Sequence, residues 1–142
     1  MKPSNILFAN DGKTLKISDF GLAKPVNSEN QVEALNKALK MSHTADAGTS
    51  WYMAPELQDG GSKYDHKIDI FSLGLVALEL FRPYYTKMEK MEAFQEARNG
   101  NIPQFAVRDQ VKKMLLLDPE QRPGAFLIAL EIAELFEIKS QH

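Results

Sequence analysis

The sequence predicts a mainly α-helical fold that begins with one short β-hairpin. Two short runs of apolar and β-favouring residues, 5–8 and 14–17, flank Asn10-Asp11-Gly12. An Asp-Gly pair favours a tight hairpin turn because it tolerates positive φ values. After Lys67 the apolar residues recur at helical spacing, which predicts a helical core over residues 67–139.

The first helix of this core is predicted to be central and buried. Its sequence, KIDIFSLGLVALELF at residues 67–81, is apolar nearly all round and stops before Pro83. A helix without a polar face is normally surrounded by protein, and proline cannot continue it.

Further helices are predicted on both sides of this segment. In the core they cover residues 88–100, 105–119 and 122–138. The first of these ends at Gly100 as a C-cap, and a proline-bounded turn separates the other two. A weaker amphipathic pattern, SENQVEALNKALK at residues 28–40, predicts one more helix upstream.

Composition excludes several classes of function. The 142 residues are 44% hydrophobic, which suffices for one ordinary core, and the net charge of −2 argues against a protein that binds nucleic acid by neutralising phosphates. The absence of cysteine excludes a disulfide framework and fits a reducing, cytoplasmic location. The longest uncharged apolar run covers half a membrane span. We therefore expect no direct contact of this segment with nucleic acid or membrane.

Hairpin geometry predicts a site at the open end of the two strands. The predicted cross-strand pairs are Phe8 with Leu15 and Ile6 with Ile17. Asn5 and Asp19 then emerge together, and their oxygen atoms are hard ligands suited to Mg²⁺. Lys2 would lie beside that ion, where its ammonium group can meet a phosphate oxygen. The alternative is that Asn5 and Asp19 only cap and terminate the strands.

Several motifs occur in an order that identifies a family. They are KPSN at 2–5, DFG at 19–21, GTSWYMAPE at 48–56, DIFSLG at 69–74 and LLLDPEQRP at 115–123. One tripeptide such as DFG is a weak signal, but this series in register resembles eukaryotic protein kinases over essentially the whole chain. The resemblance implies the large (C-terminal) lobe of a kinase without the small lobe, as a partial kinase domain over 1–142 with an activation segment at 19–56.

The same resemblance implies catalytic roles and the cofactors ATP and Mg²⁺. Asp19 matches the metal-chelating Asp of the family, Asn5 the second metal ligand, and Lys2 the lysine that contacts the transferred phosphate. Lys2 together with Thr49 resembles the serine/threonine branch rather than the tyrosine branch. These four residues are the predicted catalytic set.

Two further predictions concern the activation segment. Thr44 and Thr49 are candidate phosphorylation sites, and a phosphate on Thr44 would order the segment by docking onto cations. Without phosphate, Thr44 is one more loop hydroxyl. Glu56 and Arg122 match the buried ion pair that ties the segment to the late helices, the alternative being two unrelated surface charges.

A narrower resemblance points to the substrate. Residues 43–81 look like the kinases that phosphorylate the alpha subunit of translation initiation factor 2, including the stress-sensing member of the endoplasmic reticulum and the double-stranded-RNA-activated member. Residues 92–105 continue the likeness through the helix that receives substrate in those kinases. The docking residues implied there are Met91, Phe94 and Arg98. Ala54 and Trp51 depart from the usual pattern and leave the exact member open.

Other kinase motifs do not occur in this sequence. There is no GxGxxG loop, and the HRD triplet with the general base is absent, since Met1 stands where the family has the residue after HRD. We therefore expect the isolated chain to be inactive and to be part of a larger kinase that can pair as a homodimer. That kinase is either cytosolic or a membrane protein with a cytosolic kinase domain. The alternative is a stand-alone large-lobe remnant that acts as a binding module.

Overall fold

The computed structural model describes residues 1–19, 50–58, 65–102 and 108–140, with side chains in the last helix described to Glu134. These residues form a mainly helical fold preceded by a two-stranded antiparallel hairpin, which confirms the predicted fold class. The helix predicted at 28–40 and both threonines of the predicted activation segment, Thr44 and Thr49, lie outside the described residues.

The hairpin has the predicted register. Strand β1 (Ile6–Phe8) pairs with β2 (Leu15–Ile17), with Ile6 opposite Ile17 and Phe8 opposite Leu15. Its turn is wider than a two-residue Asp-Gly turn, because the last backbone bond before it runs from the Ala9 N–H to the Thr14 carbonyl, at 2.7 Å. Only Gly12 has a positive φ in this turn, at 65°.

The side chain of Asp11 stabilises the wider turn. Its Oδ1 accepts the backbone N–H groups of Lys13 and Thr14, each at 2.9 Å, and its Oδ2 accepts the Thr14 hydroxyl at 2.5 Å. The carboxylate thereby replaces the cross-strand bonds that a tighter turn would form.

Helices account for most of the remaining described residues. They are α1 (Pro55–Gln58), α2 (Lys67–Phe81), α3 (Lys87–Arg98), α4 (Asp109–Met114) and α5 (Ala125–Ser140), with 3₁₀ turns at Pro3–Asn5, Ser50–Tyr52 and Pro119–Gln121. Helix α2 has the predicted bounds. Helix α3 begins after Thr86, whose hydroxyl accepts the Glu89 N–H at 3.0 Å, and it is followed by Gly100 with φ of 84°.

Helix α4 is shorter than the predicted helix at 105–119. Its described part ends at Met114, and residues 105–107 lie outside the described ranges. Leu115 is buried against Gly74 of α2, where a Cβ atom would lie only 2.9 Å from the Leu115 Cδ2. This close approach fixes the chain at the end of α4, and Pro119 then restricts the preceding residue to an extended conformation.

The core forms around helix α2, as predicted. Phe71, Leu75 and Leu78 on this helix are fully buried, and Phe94 of α3 and Leu115 join the same cluster. Across the described ranges, no helix combines the length and apolar character that crossing a bilayer requires. The middle of the central helix is buried, whereas Leu80 and Phe81 at its end are exposed.

Arg122 is buried at the junction of three elements, with 1% of its surface exposed. Its Nη1 and Nη2 donate to Oε1 and Oε2 of Glu56 at 2.6 and 2.9 Å. The remaining N–H groups donate to the backbone carbonyls of Leu116, Leu117 and Lys67. The guanidinium group thus joins α1 to the start of α2 and to the turn after α4.

Replacing Glu56 with Gln should destabilise the fold more than the same change in an exposed ion pair. Glu56→Gln leaves the buried Arg122 without a charged acceptor, and we expect a loss of about 2 kcal/mol in the free energy of unfolding. Glu131→Gln is the matched control, because Glu131 pairs at 3.0 Å with Lys113, whose side chain is 50% exposed. That change should cost at most about 0.5 kcal/mol. Urea denaturation of the three proteins measures both values, and equal losses would contradict the structural role of the buried pair.

The turn of the hairpin should respond to acid at an unusually low pH. Hydrogen bonds from the Thr14 hydroxyl and from the N–H groups of Thr14 and Lys13 lower the pKa of Asp11 from 3.8 to about 2. The stabilisation of the turn is therefore complete above pH 3.8 and is lost as the pH falls through about 2. The amide proton shifts of Lys13 and Thr14 in NMR spectra should titrate with a midpoint of about 2. Asp11→Asn should remove this step, whereas a midpoint at 3.8 in the natural sequence would contradict the hydrogen-bonded turn.

Candidate active site

Lys2, Asn5 and Asp19 lie at the open end of the hairpin, where the sequence predicts a metal and phosphate site. A 3₁₀ turn over Pro3–Asn5 links the first two, with the Asn5 N–H donating to the Lys2 carbonyl at 3.0 Å. The Asn5 carbonyl accepts the Ser18 N–H from the other strand at 2.8 Å. Asn5 therefore stands opposite Ser18, one residue from Asp19.

The backbone of Asp19 has a left-handed conformation. Its φ is 64°, and within the described part of the chain no other non-glycine residue has a positive φ. Aspartate tolerates this region better than most residues, but it still costs about 1 kcal/mol or more. This conformation directs the chain away from the hairpin just after the end of β2, and Asp19 itself is exposed.

The donor set fits a magnesium ion. Asn5 offers an amide oxygen and Asp19 a carboxylate, and Mg²⁺ commonly takes only one or two protein ligands and completes its shell with phosphate and water oxygens. Across the described ranges there is no group of three or more His, Cys, Asp or Glu side chains that could hold a metal ion. Because Mg²⁺ needs few protein ligands, Asn5 and Asp19 remain the residues predicted to hold it, where it would neutralise phosphate charge.

The hairpin is attached to the helical core near this site. Ile6 packs against the core cluster, and the nitrogen of Met1 lies 3.5 Å from Oδ1 of Asp69 in the first turn of α2. Strand β1 is therefore held against the buried central helix.

A second group of polar contacts surrounds the segment that follows Thr49. The buried Tyr52 donates its hydroxyl to Oε2 of Glu79 at 2.5 Å, and Oε1 of Glu79 accepts from Nζ of Lys90 at 2.8 Å. Burial, and then the hydrogen bond and charge of Glu79, raise the pKa of Tyr52. Lys90 also lies 5.5 Å from the centre of the Trp51 ring.

Sequence reasoning missed Glu79 and Lys90. Glu79 is a lone charge in an apolar helical run, which signals a buried partner. Nothing in the sequence connects it with Lys90, which lies 11 residues further along the chain.

Helix α3 exposes only one of its three predicted docking residues. Phe94 is 1% exposed and makes an edge contact with the Tyr52 ring at 5.3 Å between centroids, and Arg98 is 9% exposed. A docked protein cannot reach either side chain in this structure, which corrects their predicted role in direct contact. Met91 is 43% exposed and remains available.

Of the other predicted residues, two form the expected ion pair and two lie outside the residues that the structure describes. Glu56 and Arg122 are joined by the two hydrogen bonds given above. The predicted catalytic residue Thr49 and the predicted phosphosite Thr44 lie outside the described residues.

The sequence of this chain is similar to those of several known kinases. The chain is 36% identical over 133 residues to eukaryotic translation initiation factor 2-alpha kinase 3 of Rattus norvegicus, covering 88% of this chain and 12% of that protein. It is 37% identical over 145 residues to eukaryotic translation initiation factor 2-alpha kinase 1 of the same species, covering 96% and 23%. The interferon-induced, double-stranded RNA-activated protein kinase of Rattus norvegicus is 35% identical over 138 residues, covering 94% and 25%. The chain therefore spans a quarter or less of the length of these relatives.

A family model described as the protein kinase domain matches residues 1–133. This range contains the hairpin, the candidate site and helices α1 to α4 together with the first half of α5. The similarity to translation initiation factor 2-alpha kinases confirms the narrower resemblance found in the motifs. The chain belongs to the protein kinase domain family.

Proposed function

We propose that this chain supplies large-lobe parts of the phosphotransfer site of a serine/threonine protein kinase, which transfers the γ-phosphate of Mg-ATP to a protein hydroxyl. The observation that carries the proposal is the hairpin register, which sets Asn5 opposite Ser18 and thus beside Asp19. In such transfer the substrate oxygen forms a bond to phosphorus as the bond to the ADP oxygen breaks. The hydroxyl proton passes to a general base that is not among these 142 residues.

Each residue at the open end of the hairpin has a role in this proposal. Asn5 and Asp19 would hold Mg²⁺, and the ion would supply positive charge to the phosphate oxygens of ATP. Lys2 places a positive charge against the transferred phosphate, where the charge on its oxygens changes during transfer. Thr49 and Lys2 together favour a serine or threonine hydroxyl as the acceptor. The fixed backbone of Asn5 and Asp19 orients these groups before substrate binds.

The proposed substrate is the alpha subunit of translation initiation factor 2, in a stress response. The names of the relatives at 36% and 37% identity support this substrate class. We place docking on the exposed face of α3, where Met91 and the neighbouring Met88 are accessible. Flexible methionine side chains suit an adaptable protein contact.

Replacing Asp19 with Asn should abolish most phosphotransfer. The test uses the longest natural polypeptide that contains these residues, with purified translation initiation factor 2 and labelled ATP. We expect Asp19→Asn to lower kcat by about 100-fold or more, because a neutral amide binds Mg²⁺ less tightly. Asp11→Asn is the matched control, since Asp11 lies in the exposed turn at the other end of the hairpin, and it should leave kcat unchanged. Equal rates for the two variants would contradict the proposed site, and phosphorylation of generic proteins but not the factor would contradict the substrate.

The isolated 142-residue chain should not transfer phosphate. The general base and the nucleotide-clamping lysine of the family are absent from its sequence, and each supports a large part of the rate. Incubation of the purified chain with Mg-ATP and the factor should give no labelled product. Labelling that Asp19→Asn abolishes would contradict this expectation, and binding of the factor without labelling would favour the binding-module alternative.

A further inference from the structure

Arg98 is a buried cation whose described hydrogen bonds go to backbone carbonyls rather than to a carboxylate. Its Nε donates to the Met53 carbonyl at 3.0 Å, and its Nη2 donates to the Trp51 carbonyl. Burial lowers the pKa of this guanidinium. Burying a charged group is costly unless its hydrogen bonds are satisfied, so the two carbonyls are the partners that offset that cost.

The geometry of these bonds depends on arginine. The two carbonyls belong to residues 51 and 53, so the planar guanidinium group spans a three-residue stretch of backbone with two differently directed donors. A lysine carries its three N–H donors on a single nitrogen, so it cannot place donors at two separate positions as the planar guanidinium does. Arg98 is therefore suited to fixing the backbone conformation of residues 51–53 and does more than pack against the core.

The same stretch is held to helix α3 at two more points. The Tyr52 ring makes an edge contact with Phe94, and Lys90 lies over the Trp51 ring. Residues 51–53 and one side of α3 thus form a single packed unit, while Met91 on the same helix is exposed. A shift of α3 would move the stretch with it.

We infer that Arg98 is a positioning residue that fixes the backbone of residues 51–53 and couples it to helix α3. The inference rests on the proposed function, because these residues lie between Thr49 and Glu56 in the segment that would contact the protein substrate. Arg98 touches neither nucleotide nor acceptor hydroxyl. It acts through the orientation of the segment. Its replacement should therefore lower kcat/KM for the protein substrate and leave KM for ATP unchanged.

The first test follows hydrogen exchange in the 142-residue chain, which needs no catalytic activity. Arg98→Met removes both hydrogen bonds, Arg98→Lys keeps the charge but carries all its donors on one nitrogen, and Lys87→Met is a charge-matched control at the exposed start of the same helix. We expect exchange in a peptide covering residues 50–58 to accelerate about tenfold in Arg98→Met and less in Arg98→Lys. Exchange in α5 should stay unchanged in both, and Lys87→Met should resemble the natural chain. Acceleration spread evenly over all peptides, or none at 50–58, would overturn the inference.

The second test measures kinetics in the longest natural polypeptide that contains these residues. Arg98→Lys is the variant of choice, since it retains the charge and disturbs packing less than Arg98→Met. We expect kcat/KM for the protein substrate to fall about 10-fold to 100-fold while KM for ATP is unchanged. An equal fall for both substrates, or no change for either, would overturn the role of Arg98. Absence of activity in the natural protein would instead overturn the proposed function, and the hydrogen-exchange test would then decide the coupling alone.

Discussion

The buried guanidinium of Arg122 is the contact on which the arrangement of the lobe depends. It pairs with Glu56, which lies 66 residues away in sequence. It also donates hydrogen bonds to backbone carbonyls at the start of α2 and after α4. These groups would otherwise be polar and unpaired beside the core. Its planar face lies 4.8 Å from the centre of the Phe71 ring, so the ion pair is enclosed by the apolar cluster. One side chain thereby fixes Glu56 and helix α1 relative to the central helix.

The central helix α2 contacts both the hairpin and the segment that follows Thr49. Its first turn carries Asp69, which contacts the nitrogen of Met1 near the hairpin, and its last turns carry Glu79, which accepts the Tyr52 hydroxyl. A buried 15-residue helix is a rigid spacer between the two regions. The distance between the hairpin site and the segment after Thr49 is therefore set by a helix that packs on several sides.

Helix α3 has a buried side and an exposed side, which make different contacts. Phe94 and Arg98 face the core and hold residues 51–53, whereas Met88 and Met91 are accessible. The exposed side therefore belongs to a helix that is hydrogen-bonded through Arg98 to the backbone of Trp51 and Met53. The exposed apolar residues of the hairpin, among them Phe8 and Leu15, form a separate surface.

The helical class, the bounds of α2, the hairpin register and the family were all predictable from the amino-acid sequence. Each of these depends on local patterns: apolar periodicity, a turn signal at Asp11-Gly12 and short motifs in order. The wider turn and the early end of α4 were decided by the Asp11 side chain and by packing of Leu115 on Gly74. The burial of Phe94 and Arg98 and the contact of Lys90 with Glu79 could not be predicted and emerged from the packing of the helices. The physical reason is that helical periodicity shows which residues share a face, but the side that becomes buried depends on what packs against it.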